Sequence, residues 1–478
     1  MKGFGFSLAE SVSLRKDSDG FFLISRIPIK ILRLNEPLYN LLKYICDGGE
    51  LVDFHFINPE NTMKVLLTLV MRGYLKLERT APLTEFPNVS VIIPVRDQPE
   101  DLTECLKALE KVLYPEDRLE IIVVDDGSKK DMSQIVTSTN ARIIRQEETK
   151  GAAVCRNIGA ENAIGDILAF LDADCVAGEG WLEELVPFFQ SAGAGAAGGY
   201  IDGYDTRTPL EKYEKVFSSL NMGKRLIIEG KDKSGFYMPT ANLLVAREAF
   251  TATGGFKAGM RVGEDVDLCW RLRDWGFTLV YTPTGSVAHK HRNKLGKMLK
   301  RRSEYGTSEA LLYRTHRDKK KGFAISLFPV LSFLAITIAI LLMNPYPLCA
   351  LPLLFGIDLW RKSATIKQLK IELSFSQMVY SALRSHLSFF YFAFFHLMRY
   401  YLMLIVGLGF AWHPIWVFGG VGIMCTSIMD YSVKKPKLFY LTFLFYYLLE
   451  HLTYQAGVFW GCLKYGYFGS YLLSFKRT

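Results

Sequence analysis

Asp172 and Asp174, separated only by Ala173, close an apolar run that begins at Ile167. Two neighbouring carboxylates suit a hard divalent cation that also takes phosphate oxygens. Asp-X-Asp is equally an ordinary turn whose acids can cap a helix, here one opening at Trp181. Asp125 and Asp126 end a second apolar run, Ile121 to Val124, where they can accept from a base imide or a ribose hydroxyl. Asp-Gly after a strand is likewise a common turn. Farther on, Glu264, Asp265 and Asp267 fall in the first turn of a helix. The helix dipole favours acids there but gives no reason for two adjacent ones. A carboxylate on a rigid helix start, facing a cation–nucleotide crevice, can take a proton from an incoming hydroxyl. His289 and His291 share a side if extended, and either can be a metal ligand. Arg156, about two turns into a helix opened by small residues, suits a phosphate or an ion pair at the sheet edge.

A sheet must position these groups. Val89 to Pro94, Ile121 to Val124 and Arg142 to Ile144 read as strands, and Ile167 to Cys175 as a fully buried one. Helices separate them, one marked by Leu102, Cys105, Leu106, Leu109 and Leu113, another running from Gly151 to Ala163. This β-α-β-α order predicts an α/β fold with a mostly parallel, doubly wound sheet. Ligands of such sheets sit beyond the carboxyl ends of the strands, where the paired acids emerge. The helix after Gly263 is expected to turn Val266, Cys269, Trp270 and Leu272 inward.

Together these residues resemble family 2 glycosyltransferases of the GT-A fold. The carriers are Val91-Ile92-Ile93-Pro94, Val124-Asp125-Asp126-Gly127-Ser128, Ala153-Val154-Cys155-Arg156-Asn157-Ile158-Gly159, Phe170-Leu171-Asp172-Ala173-Asp174 and Gly263-Glu264-Asp265-Val266-Asp267. Five motifs in the family's order are far more specific than any one. The resemblance implies a nucleotide-sugar site at Pro94, Asp125, Asp126, Arg156 and Asp172, with Asp126 on the base. It implies Mg2+ or Mn2+ held by Asp174 and His289, and Asp265 as general base, with Glu264 beside it as the next candidate. A narrower likeness is to the mycofactocin-system glycosyltransferases, carried by Gly263 to Leu272, Val287-Ala288-His289-Lys290-His291-Arg292 and Tyr305-Gly306. It implies a sugar, glucose from UDP-glucose, placed on a peptide-derived or small-molecule hydroxyl. The Gln-X-X-Arg-Trp signature of processive synthases is missing after His291, which argues against a cellulose- or hyaluronan-type polymerase. An acceptor on a polyprenyl phosphate or cell-surface glycan is an alternative. So is a catalytically inactive, membrane-docked peptide-binding protein, against which the intact acids argue.

The 478 residues allow two or three domains. Residues 1–80 resemble a PqqD-like, winged-helix-like α+β unit, with strands at Phe21 to Ile24 and Ile29 to Leu34, a turn at Pro28, two helices and a closing strand at Tyr74 to Leu77. Residues 81–88 are a linker, 89–317 the transferase, and 318–478 a hydrophobic helical region. The formal charge of +9 concentrates beside the apolar runs, which favours an anionic membrane leaflet over nucleic acid. Phe323 to Met343 is long enough to span a bilayer. His386 to Met398 reads as interfacial, and Tyr400 to Met424 and Leu438 to Leu449 as further candidate spans. Flanking Arg and Lys place the transferase on the cytoplasmic face of the cell's inner membrane. An all-helical soluble domain is the competing reading of this tail. The eight cysteines form no Cys-X-X-Cys pair and read as free buried thiols. No signal peptide is expected, because no apolar core with a cleavage site opens the chain.

Overall fold

Val89–Val95 buries every side chain but that of Pro94, as a strand covered on both faces must. In the computed structural model it pairs in parallel with Leu119–Asp125 on one side and Ile167–Phe170 on the other. The structure describes residues 4–26, 29–49, 59–79, 83, 85–229, 235–368 and 373–477. These fall into two compact units, one of residues 1–10 and 36–293, the other of 11–35 and 294–478.

The first unit is built on an eight-stranded sheet. Its order is Ile227–Glu229, Thr278–Tyr281, Ala194–Gly198, Leu243–Ala246, Ile167–Phe170, Val89–Val95, Leu119–Asp125 and Arg142–Arg145. The last four run parallel, as expected. The other half is mixed: Leu243–Ala246 is antiparallel to both neighbours, and Ile227–Glu229 is antiparallel to Thr278–Tyr281. A single turn, Thr240–Asn242, leads into Leu243–Ala246, where a parallel strand would need a crossover helix. Helices cover both faces. Leu102, Leu106, Trp181 and Leu185 fill the core on one side; Ala153, Ala160, Leu268 and Leu272 fill the other. The helix Ala152–Asn162 lies so close to the sheet that a Cβ on Gly159 would stand 2.4 Å from Ile92. This is the doubly wound GT-A class that the sequence implies, with a mixed rather than mostly parallel sheet.

Two expectations at the site need correction. The strand expected to run through Cys175 stops at Phe170. The chain turns through Leu171 to Asp174, and Cys175–Ala177 opens a separate three-stranded sheet with Val287–His289 at its centre. In the helix Glu264–Asp274, Leu268 is buried and Val266 only half-buried; Asp267 takes the place beside Cys269, Trp270 and Leu272.

The N-terminal stretch is divided between the units. In the first, Phe4–Leu8 pairs antiparallel with Leu75–Arg79. Phe4 sets its ring 5.1 Å from that of Phe188. The helices Glu36–Cys46 and Pro59–Met71 belong here too. The strands Gly20–Arg26 and Ile29–Leu34, joined by a third at Val12–Asp17, form an antiparallel sheet that belongs to the second unit. The turn expected at Pro28 lies outside the described residues, as do residues 81, 82 and 84 of the linker.

The second unit is mainly helical. Leu295–Thr315 packs along Tyr440–Tyr465. Glycines permit the approach, since a Cβ on Gly457 or Gly461 would stand 2.2 or 2.5 Å from the Ser303 or Thr307 carbonyl oxygen. Glu450 forms an ion pair with Arg302 at 3.3 Å across this seam, and accepts at 3.2 Å from Arg399 of the helix Phe375–Ala411. The run from Phe323 to Met343 is not one span: Lys321–Ile325 is a strand parallel to Leu473–Arg477, and the helix Leu327–Leu341 has only 15 residues. Such a helix is about 22 Å long, short of a hydrocarbon core of about 30 Å. The segment expected to lie in the interface is the middle of a continuous 37-residue helix, Phe375–Ala411. Pro414 starts the next helix, Pro414–Lys434, and so divides the Tyr400 to Met424 run. These two helices are long and apolar enough to cross a membrane.

Candidate active site

Strand ends and helix starts supply the acids. Asp125 is fully buried, and its Oδ1 accepts from the Ser128 N–H at 3.0 Å. The Arg145 Nε lies 3.7 Å from Oδ2. Asp125 therefore shapes the turn after its strand. Asp126 accepts from the N–H groups of Lys150 and Gly151 at 2.7 and 3.1 Å. The start of the Ala152–Asn162 helix, with Gly151 at a φ of 92°, thus holds this carboxylate where the dipole favours it. Pro94 lies two residues past Ile92, the last residue that pairs with the Asp-X-Asp strand, so its missing N–H costs that ladder nothing.

Arg156 joins two of the motifs. Its guanidinium, 3% exposed, donates from Nη2 to Asp172 Oδ1 at 2.6 Å and from Nη1 to Glu264 Oε1 at 3.0 Å. It also stacks 5.6 Å from the centre of the Phe256 ring. Burial alone would lower its pKa, but Asp172 and Glu264 more than offset this and raise it. Of its two expected roles, the structure shows the ion pair. Asp265, next along the helix, is half-buried and its Oδ1 accepts from the Val266 N–H at 2.8 Å. Asp267 is bound to Lys257 and Arg271 at 3.0 and 2.7 Å and is 1% exposed.

The Asp-X-Asp pair divides its work. Asp172 goes to Arg156, while Asp174 turns toward His289, with Oδ1 3.5 Å from Nε2. Cys175 lies directly opposite His289 in an antiparallel pair. Donor atoms of Asp174, Cys175 and His289 all fall within 4.8 Å of one another. His289 is buried, and its Nδ1 finds no hydrogen-bond partner among the described residues. Two ligands of one ion, each about 2.1 Å from it, stand about 3 to 3.5 Å apart. The Asp174–His289 spacing fits that. Burial raises the Asp174 pKa, His289 opposes the rise, and Asp172 adds to it. Such a carboxyl favours a partner of positive charge. His291 is not in this group; its ring centre lies 5.1 Å from that of His289. Between them, Lys290 donates its N–H to the Asp174 carbonyl at 3.0 Å. Its ammonium is held by Asp101 and Glu104 at 2.6 and 2.8 Å.

Residues 90–261 match the model of the domain described as "Glycosyl transferase family 2". Glycosyltransferase AglE of Haloferax volcanii is 30% identical over 256 residues, covering 52% of this chain and 82% of the relative. The chain belongs to glycosyl transferase family 2. The pre-mycofactocin glycosyltransferase of Mycobacterium tuberculosis is 31% identical over 326 residues, covering 67% of this chain and 66% of that relative's length. A mannosyltransferase from Pyrobaculum calidifontis, solved in complex with GDP-Man and Mn2+, aligns at a TM-score of 0.39 and 18% identity, over 64% of this chain and 89% of its own.

The family 2 match contains Asp125, Asp126, Arg156 and the Asp-X-Asp, and stops just before Glu264. A cavity of about 560 Å³ bridges that boundary, lined among others by Arg96, Asp126, Lys150, Gly151, Arg261 and Glu264. Lys150 at a helix start, with Arg96 and Arg261 lining the same cavity, suits an anionic ligand such as a phosphate. Arg96 and Arg261 were not legible as site residues, since each is a single exposed arginine just outside a motif. Lys290 was hidden for a different reason: the Asp101 and Glu104 that fix it lie far away in sequence. Cys175 was read only as a buried thiol, and its position opposite His289 depends on a sheet pairing the sequence does not reveal.

Proposed function

We propose that this family 2 enzyme is an inverting, metal-dependent glycosyltransferase that moves glucose from UDP-glucose to a hydroxyl of a peptide-derived redox cofactor of the mycofactocin type. The observation that carries the reading is the Arg156 bridge. It fastens the turn bearing Asp174 to the helix bearing Asp265, so that a leaving-group site and a base share one crevice. In this scheme the cavity takes the nucleotide, with Asp126 toward the base and Lys150 and Arg261 toward the diphosphate. Asp174 and His289 hold Mg2+ or Mn2+, which when bound supplies charge stabilisation for the departing diphosphate. Asp265 takes the proton of the acceptor hydroxyl, and the freed oxygen attacks the anomeric carbon from the side opposite the diphosphate. Arg156 engages both Asp172 and Glu264, which leaves Asp265 as the carboxylate positioned for the base role. The acceptor assignment draws on the pre-mycofactocin relative. The two apolar helices also fit a lipid-linked acceptor and a membrane-bound enzyme; the cytoplasmic face of the inner membrane is the side that the flanking Arg and Lys favour for the transferase.

Proton NMR of UDP-glucose turnover with Mn2+ tests the reading. Slow donor hydrolysis should release β-glucose before mutarotation, and a mycofactocin-type peptide should accelerate consumption of the donor. α-Glucose as first product would exclude inversion. Acceleration by a polyprenyl phosphate, and not by the peptide, would move the acceptor assignment to the lipid.

A further inference from the structure

We infer that Cys175 is a third ligand of the cation site, making it an oxygen–nitrogen–sulfur site that holds a thiophilic divalent ion such as Zn2+ more tightly than Asp174 and His289 alone would. The inference rests on the cation site of the proposed function and extends it to a residue outside the Asp-X-Asp.

Cys175 and His289 are a directly opposed antiparallel pair, so their side chains leave one face of the small sheet together. Their donor atoms and a carboxylate oxygen of Asp174 lie within 4.8 Å of one another. His289 is 5% exposed, yet its Nδ1 has no hydrogen-bond partner among the described residues. One ion cannot take both ring nitrogens; the one available to it is Nε2, which lies 3.5 Å from Asp174 Oδ1, the separation of two ligands on one ion. Asp, His and Cys are the common ligands of Zn2+, at about 2.0 to 2.3 Å, and three protein ligands leave a position open for substrate. Mg2+ takes oxygen ligands and would pass the sulfur by. Zn2+ and Co2+ are softer and would use it. On binding, the Cys175 thiol gives its proton to solvent and the thiolate sulfur bonds the ion. Cation choice at this enzyme is thereby set by a residue next to the motif, not within it.

The test uses full-length, metal-stripped protein carrying Cys46→Ser and Cys349→Ser, which removes the two exposed thiols. With one equivalent of Zn2+, X-ray absorption should show one sulfur neighbour at about 2.3 Å beside nitrogen and oxygen neighbours at about 2.0 to 2.2 Å. Adding Cys175→Ala should remove the sulfur and weaken Zn2+ about tenfold or more, while Mn2+ binding, read by electron paramagnetic resonance, changes little. The spectrum without that substitution decides the question even where the variant folds poorly. A shell of nitrogen and oxygen only, or a sulfur that persists in Cys175→Ala, would overturn the inference. Protein that binds Mn2+ but shows no sulfur on Zn2+ overturns the ligand assignment alone; protein that binds neither ion overturns the cation site beneath it as well.

Discussion

Asp265 and Arg156 make opposite demands on a substitution. Asp265 is half-buried at a helix start, so Asp265→Asn should leave fold and donor binding intact. Turnover should fall roughly a hundredfold or more, the scale of lost general-base catalysis. Rates near wild type with donor and acceptor saturating would remove Asp265 from the role and leave Glu264 as the candidate. Arg156→Ala should instead act on the fold. It leaves Glu264 and Asp172 facing each other without their shared guanidinium, and breaking a buried pair in this way costs about 3 to 5 kcal/mol. A melting temperature unchanged from wild type would show that the bridge carries no weight. The acids themselves were legible because Asp-X-Asp, Asp-Asp-Gly and Gly-Glu-Asp stand at strand ends and a helix start. Their division of labour was not: that Asp172 serves Arg156 and Asp174 faces His289 follows from side-chain directions, which motif spacing does not give.

Between elements, the joint that sets the cation site is a pair of anchors, one buried and one half-buried. Asn242, 1% exposed, accepts from Trp181 Nε1 at 2.8 Å and donates to the carbonyls of Tyr200 and Gly285 at 3.2 and 2.8 Å. It ties the strand after it to the loop that leads into Val287–His289. Asn242→Leu should cost on the order of 3 kcal/mol, as Trp181 Nε1 and the Gly285 carbonyl lose a buried partner and the Tyr200 carbonyl one of its two; a thermal shift within error of zero would contradict this. Lys290 is the second anchor. Lys290→Ala frees the segment between His289 and His291 and should weaken Mn2+ about tenfold with little change in melting temperature. Equal loss of stability would mark it as a merely structural residue. The strands with Val, Ile and Leu runs were readable, as were the helices with apolar stripes. Ala194–Gly198 was not, because Ala-Gly-Ala-Ala-Gly carries almost no hydrophobic signal, and the mixed half of the sheet depends on it.

For the molecule as a whole, the claim at stake in the tail is membrane residence. Phe375–Ala411 and Pro414–Lys434 carry exposed Phe392, Leu404, Phe410 and Trp416, side chains that need a cover other than water. Full-length protein should sediment with membranes, resist high salt and dissolve only in detergent; release by salt would mean that charge alone holds it. Hydropathy located this region but misdivided it. Apolar composition cannot tell the strand at Lys321–Ile325 from the helix after it, and only Pro414 marks the break inside the later run. The central claim, that Asp174 serves the cation and Asp265 the proton, is tested most directly by calorimetric titration of UDP-glucose into wild type, Asp174→Asn and Asp265→Asn, with Mn2+ or with chelator, alongside turnover of the same samples. Donor binding should require Mn2+ in wild type, be lost in Asp174→Asn and persist in Asp265→Asn, which alone should bind and not turn over. Full turnover in chelator, or equal loss of donor binding in both variants, would contradict the account.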